Sequence, residues 1–218
     1  MPQESKKKTA LSRRSFLKFS AEATVAFGVV GGLSFASTER SYIRPPGAIS
    51  AKEFSERCMR CGACAEVCPT RAITLLDLTT DIKNMGTPVV DYHLGGCTAW
   101  RGECMRCIDV CPTKALSPKA PLERKMGTAQ IRTNECVNCM VCYRWCPIEG
   151  AVLFPNPNGG APFVREKDIP EKIKVKNSPY KPWIDTEKCV GCGLCAHYCI
   201  AECIDMEALK EENAHAHR

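Results

Sequence analysis

The residues most able to do chemistry in this chain are its cysteines. Cys136, Cys139, Cys142 and Cys146, followed by Pro147, read C-x2-C-x2-C-x3-C-P, the spacing by which bacterial ferredoxins hold 4Fe-4S clusters. Three thiolates two residues apart on a tight loop can reach three corners of one cube. The fourth opens the next helix, which turns away, so it ligates a different cluster. The same run stands at Cys58, Cys61, Cys64, Cys68 and Pro69, and recurs in altered form at Cys97, Cys104, Cys107, Cys111 and Pro112. Cys189, Cys192, Cys195 and Cys199 make a fourth copy without the proline. These sixteen cysteines are the candidate ligands, through iron, of four 4Fe-4S clusters. Of seventeen cysteines only Cys203 is left over.

Two other uses of cysteine fit poorly. Zinc ribbons separate their C-x-x-C pairs by a dozen or more residues, whereas here the pairs overlap as three cysteines in seven positions. Neighbouring C-x-x-C thiols seldom meet the geometry of a disulfide. No Gly-rich phosphate loop supports a nucleotide cofactor, no C-x-x-C-H marks covalent haem, and no Ser/His/Asp constellation stands out. His93 and His197 read as structural or surface residues. The chain is expected to move electrons without a catalytic site of its own.

The elements that must position the ligands form a repeat. Each run has a related exit: Cys68-Pro-Thr-Arg-Ala-Ile-Thr, Cys111-Pro-Thr-Lys-Ala-Leu-Ser, Cys146-Pro-Ile-Glu-Gly-Ala-Val-Leu and Cys199-Ile-Ala-Glu-Cys-Ile-Asp. Ahead of two runs, Ile131-Arg-Thr133 and Trp183-Ile-Asp185 read as short strands. The unit is strand, cysteine loop, short helix, strand, so the fold is α+β and loop-rich, with two bacterial-ferredoxin-like modules of two clusters each. Cys203 aligns with Ala72 and Ala115, a small buried position, and reads as an apolar core residue, with an alternate ligand or redox thiol as the other possibility.

The shortest spacer, 112–135, lies between runs two and three. It favours a nested arrangement, with an inner module over 97–146 and a split module of 51–96 and 147–206. Cys58, Cys61 and Cys64 would then share a cluster with Cys199, and Cys189, Cys192 and Cys195 with Cys68. Cys97, Cys104 and Cys107 would take Cys146, while Cys136, Cys139 and Cys142 would take Cys111. Sequential pairing, one with two and three with four, is the alternative.

Residues 1–36 are an address. Ser12-Arg-Arg-Ser-Phe-Leu-Lys18 and the Gly/Ala/Val-rich run to Ala36 match a twin-arginine signal, with cleavage expected after Ala36. The alternative is retention as a membrane anchor, against which Glu22 and Gly28, Gly31 and Gly32 count. Export by that route reconciles many cysteines with an oxidising compartment, because clusters can be inserted before translocation; the expected location is the periplasm, at the cytoplasmic membrane. Residues 37–50 read as an extended linker with Pro45 and Pro46, and Ala51 to Arg57 as a short helix. Spacer 77–96 holds a turn and strand around Met85–Asp91. Spacer 147–188 holds a turn-rich loop at Pro155–Gly160. Both are candidate docking surfaces. A helix is expected from Met206 towards Asn213, with residues 207–218 a polar tail ending in His215 and His217.

The net charge of +6 does not indicate a nucleic-acid binder. Residues 1–36 carry a net +4, leaving +2, and four clusters at roughly −2 each would make the filled protein acidic, on the order of −6.

Taken together, the twin-arginine leader, Arg44-Pro-Pro-Gly-Ala-Ile49, the four runs, Gly86-Thr-Pro88, Met126-Gly127 and Cys142-Tyr-Arg-Trp-Cys-Pro147 resemble the MauM/NapG family of ferredoxin-type proteins. The resemblance covers nearly the whole chain. It implies a periplasm-facing subunit with four 4Fe-4S clusters, working with a membrane polyferredoxin (NapH-like) to pass electrons from quinol towards a periplasmic reductase such as nitrate reductase. A subunit of a molybdenum reductase or hydrogenase complex is the alternative. Run two departs from the regular spacing, with six residues between Cys97 and Cys104. That insertion, Thr98–Glu103, could shield a cluster or present Trp100 to a partner.

Overall fold

The segment ahead of the first cysteine run is built into the core. The computed structural model describes residues 40–102, 104–117 and 125–209; the leader, residues 37–39, Glu103 and the histidine tail lie outside the described residues. From Ser41 onward the chain belongs to one compact unit. Ile43 is buried, and Pro45 and Pro46 are among the fully buried side chains. Arg44 Nη1 donates to Thr87 Oγ1 at 2.7 Å and to the Pro88 carbonyl at 2.9 Å, while Nη2 donates to Asn84 Oδ1 at 3.0 Å. Its guanidinium also lies 5.1 Å from the centre of the Phe54 ring. The expected linker is thus corrected from Ser41 on: its prolines pack instead of spacing. Two prolines suit this role because they give up few backbone donors and lose little freedom on ordering.

Ser50 starts the first helix by accepting from the Glu53 N–H at 3.3 Å. This helix, α1 (Ala51–Arg57), has the expected bounds and buries Phe54 completely. Each cysteine loop then runs into a single turn of helix: α2 (Ala63–Glu66), α4 (Arg106–Asp109), α5 (Val141–Trp145) and α6 (Leu194–His197). The insertion of run two contains one more turn, α3 (Ala99–Gly102).

Among the described residues, six short strands make three antiparallel pairs. β1 (Ile73–Leu75) pairs with β2 (Pro88–Val90), β3 (Gly127–Ile131) with β6 (Ile204–Ala208), and β4 (Val152–Leu153) with β5 (Trp183–Ile184). An isolated bridge, Ala48 with Leu116, takes the place in the first half that β3–β6 holds in the second. The strand expected at Ile131–Thr133 lies earlier, and the helix expected from Met206 is corrected: Met206 to Ala208 complete β6 against β3, which alternates buried Gly127 and Ala129 with more open residues. Sheets this small are marginal alone.

The strand pairs decide the modules, and the nested expectation is overturned. β1 leaves run one and β2 enters run two; β4 leaves run three and β5 enters run four. One core joins Phe54, Ile73, Cys107 and Leu116 with Cys58, Cys64, Cys68 and Cys111. Another joins Cys142, Val152, Cys195 and Ile204 with Cys136, Cys146, Cys189 and Cys199. Runs one and two form one module, and runs three and four form the other. Spacer length misled because closing a longer loop costs only about 0.6 kcal/mol per doubling, far less than a mispaired core.

Candidate cluster-binding sites

Of four hollows of nearly equal size, about 340–360 Å³ with their mouths, three are lined by four cysteines and the third by six, with Cys195 and Cys203 beside its four. The first gathers Cys58, Cys61 and Cys64 with Cys111. The second gathers Cys97, Cys104 and Cys107 with Cys68. In the other module, Cys136, Cys139 and Cys142 meet Cys199 at the third hollow, and Cys189, Cys192 and Cys195 meet Cys146 at the fourth. Every run gives three cysteines to one hollow and its last to the partner run's. All sixteen sequence-derived residues are brought together, though with other partners than nesting required.

The loops owe their shape to left-handed residues on both sides of the second cysteine: Arg60 and Gly62, Asn138 and Met140, Gly191 and Gly193. Reversing the chain twice in this way turns three side chains inwards. Asn138 is buried, and its Nδ2 donates to the carbonyls of Val175 and Tyr180, both at 3.0 Å. Asparagine tolerates this conformation better than most residues. Lys181 Nζ donates to the Cys136 carbonyl at 2.8 Å. The long second spacer is therefore folded over run three, with Met140, Phe154, Ile169 and Ile173 as a small core beneath it. In the first spacer, the Lys83 carbonyl accepts from Arg60 Nη2 at 3.1 Å. Both expected docking surfaces are, in these parts, covers for cysteine loops.

The donor chemistry suits a cluster. None of the seventeen cysteines is in a disulfide. Among the described residues no three His, Cys, Asp or Glu side chains stand close enough to hold a single metal ion. Zinc needs its sulfurs about 2.3 Å from one centre; thiols ringed around a larger hollow fit an iron-sulfur cube. Burial pushes the Cys64 and Cys97 thiols up to about 11 and those of Cys107 and Cys192 up to about 12, with neighbouring cysteines adding to the rise in each case. Buried thiols of this kind keep their protons until metal displaces them, so ligation releases protons. A 4Fe-4S dicluster domain model matches residues 57–115 and again 100–150, and a 4Fe-4S binding domain model matches 180–199. Over 192 residues the chain is 30% identical to the methylamine utilization ferredoxin-type protein MauM of Methylobacillus flagellatus, covering 81% of this chain and 74% of that protein. It is also 30% identical over 211 residues to the ferredoxin-type protein NapG of Escherichia coli, covering 87% and 82%. A MauM of Paracoccus denitrificans is 31% identical over 198 residues, covering 83% and 80%.

The chain belongs to the MauM/NapG family of ferredoxin-type proteins. It is a 4Fe-4S ferredoxin-type electron-transfer protein. Against that background, the insertion of this family member's second run has a visible role. Arg101, from α3, lies 4.4 Å over the ring of Trp145 in the other module. Trp145 in turn stacks on Tyr198 with ring centres 3.7 Å apart. Trp100 is half-buried and packs on the core of Ile43, Ala72, Val90 and Met126, so it is not held out towards solvent. The insertion clasps the two modules. Arg101→Ala should lower thermal stability by about 0.5–1 kcal/mol while iron content stays unchanged, as read by thermal unfolding and metal analysis under anaerobic conditions.

The modules also meet backbone to backbone. The Cys97 N–H donates to the Cys192 carbonyl at 2.7 Å. A Cβ on Gly96 would stand 2.8 Å from the Leu194 Cα, so only glycine permits this approach. The second and fourth hollows are thus neighbours across the module boundary. Sequence reasoning missed this junction, although the Gly95-Gly96 pair ahead of Cys97 marks a close backbone approach.

Proposed function

We propose that this protein is an exported electron-transfer subunit holding four 4Fe-4S clusters, which relays electrons from a membrane quinol-oxidising partner of NapH type towards a periplasmic reductase such as nitrate reductase. The observation behind the count is that each of four hollows has in its lining the first three thiols of one run and the last thiol of its partner run, with Cys195 and Cys203 also lining the third. Bound 4Fe-4S clusters would supply one-electron redox chemistry at each site. The chain's own part is to hold the thiolates, exclude water and fix the order of the sites. By the module contents and the Cys97–Cys192 hydrogen bond, that order runs first, second, fourth, third.

The leader with Arg13 and Arg14 supports export, and the resemblance to NapG supports the partner and the destination. Among the described residues no helix is long and apolar enough to cross a membrane. Anaerobic purification followed by iron, sulfide and zinc analysis should give about sixteen iron and sixteen sulfide per chain. A colourless or zinc-loaded product would overturn the proposal. Quinol-containing membranes bearing the NapH-like polyferredoxin should bleach the cluster absorption, and membranes lacking it should not.

A further inference from the structure

The leftover cysteine stands at a position that the four repeats share. Arg71, Lys114, Gly150 and Glu202 all have positive φ, and the next residue in each case is small, buried and against a hollow. Three of these are alanines, Ala72, Ala115 and Ala151, each 1% exposed; the fourth is Cys203, 2% exposed. Cys203 lines the third hollow beside Cys199, its sulfur 3.6 Å from the Cys199 sulfur. Volume alone does not require sulfur there, because alanine fills the site in the other three copies.

The last cysteines of runs one and two show what the sulfur adds; in run three Ile148 holds the place of the hydroxyl, its carbonyl 3.4 Å from the Cys146 sulfur. Thr70 Oγ1 lies 3.5 Å from the Cys68 sulfur, and Thr113 Oγ1 lies 3.9 Å from that of Cys111. Against a thiolate each hydroxyl is the donor. In the fourth repeat Ala201 occupies that place and has no proton to give. The proline that follows the last cysteine elsewhere is replaced too: Pro69, Pro112 and Pro147 line their hollows, whereas Ile200 is 72% exposed. The third hollow has lost both companions of its last cysteine and gained one thiol.

We propose that Cys203 is a positioning and tuning residue of the third site, donating its S–H to the Cys199 thiolate in place of the missing threonine hydroxyl, and not a cluster ligand. Hydrogen bonds to ligand sulfur draw off electron density, favour the reduced state and raise the reduction potential. Serine at this position would do the same, whereas alanine would not.

The inference rests on the four-site reading, and metal analysis separates the two. The test uses the full chain purified anaerobically with its clusters, iron analysis and redox titration followed by electron paramagnetic resonance. Cys203→Ala should keep the wild-type iron content and shift one midpoint to a more negative potential, leaving the others in place. The signal that moves should be the one that disappears in Cys139→Ser. Cys203→Ser should bring the midpoint back. An unmoved midpoint in Cys203→Ala would make Cys203 a space-filler and overturn the proposal, and a loss of a quarter of the iron would make it a ligand and overturn it as well. A wild-type chain without iron would overturn both this inference and the function it rests on.

Discussion

Cys68→Ser should empty the second site, the one built by Cys97, Cys104 and Cys107, and leave the site of its own run filled. The loss is expected to be about four iron of about sixteen. The structural reason is the exchange of last cysteines within a module: Cys68 lines the second hollow, and Cys111 lines the first. Double variants identify the site without ambiguity. Cys68→Ser combined with Cys104→Ser should cost no more iron than either alone, because both act on one cluster. Cys68→Ser combined with Cys192→Ser should cost about eight iron, because Cys192 belongs to the fourth hollow. Nested pairing makes the opposite forecast, since Cys68 and Cys192 would then share a site.

Gly191→Ala should be the most damaging replacement outside the cysteines. Gly191 has φ +72°, and a Cβ there would stand 2.3 Å from the Gly127 nitrogen and 2.5 Å from its carbonyl carbon and oxygen. The left-handed backbone alone costs about 1–2 kcal/mol for a residue with a side chain. The clash adds more, because Gly127 cannot retreat. It begins β3, which pairs with β6 along its whole length, and the neighbouring Met126 N–H donates to the Val190 carbonyl at 2.9 Å. We expect a destabilisation above about 4 kcal/mol, with loss of the fourth site and weakening of the third, which shares its core. Iron content and anaerobic thermal unfolding measure both effects. Gly102→Ala is the control: nothing lies within 4 Å of its Cβ position, and iron and stability should stay at wild-type values.

Much of the site was legible because metal ligation is local in sequence. Three thiols two residues apart on a short loop can meet one cube, so C-x2-C-x2-C-x3-C declares its chemistry wherever it folds. The alignment of the four exits also placed Cys203 with Ala72 and Ala115, and all three are small buried residues. α1 and β5 came from local signals too, Ala51–Arg57 and Trp183-Ile184, each leading into a cysteine loop.

What failed were inferences about long-range partners. Arg44-Pro-Pro looked like a tether because proline favours extended backbone, but Pro46-Gly47 turn the chain and the Arg44 bonds to Asn84, Thr87 and Pro88 bring it into the core. Met206–Ala208 looked like the start of a helix, since methionine, glutamate and alanine all favour one. Pairing with β3 overrides that preference, as tertiary contacts often do. The hydroxyls of Thr70 and Thr113 were written in the repeated Cys-Pro-Thr, yet their closeness to ligand sulfur becomes visible only in space.

The sequence by itself determined the chemistry to look for in this protein: which sixteen thiols are candidate iron ligands, and that each run would divide them three to one. Those properties depend on spacing within a dozen residues, which the covalent chain dictates. Only the tertiary structure decided which run receives each last cysteine, that Cys97 and Cys192 join the modules, and that Cys203 replaces a lost donor. These depend on which strands pair and which backbones approach, and a flexible spacer of any ordinary length would have allowed either pairing.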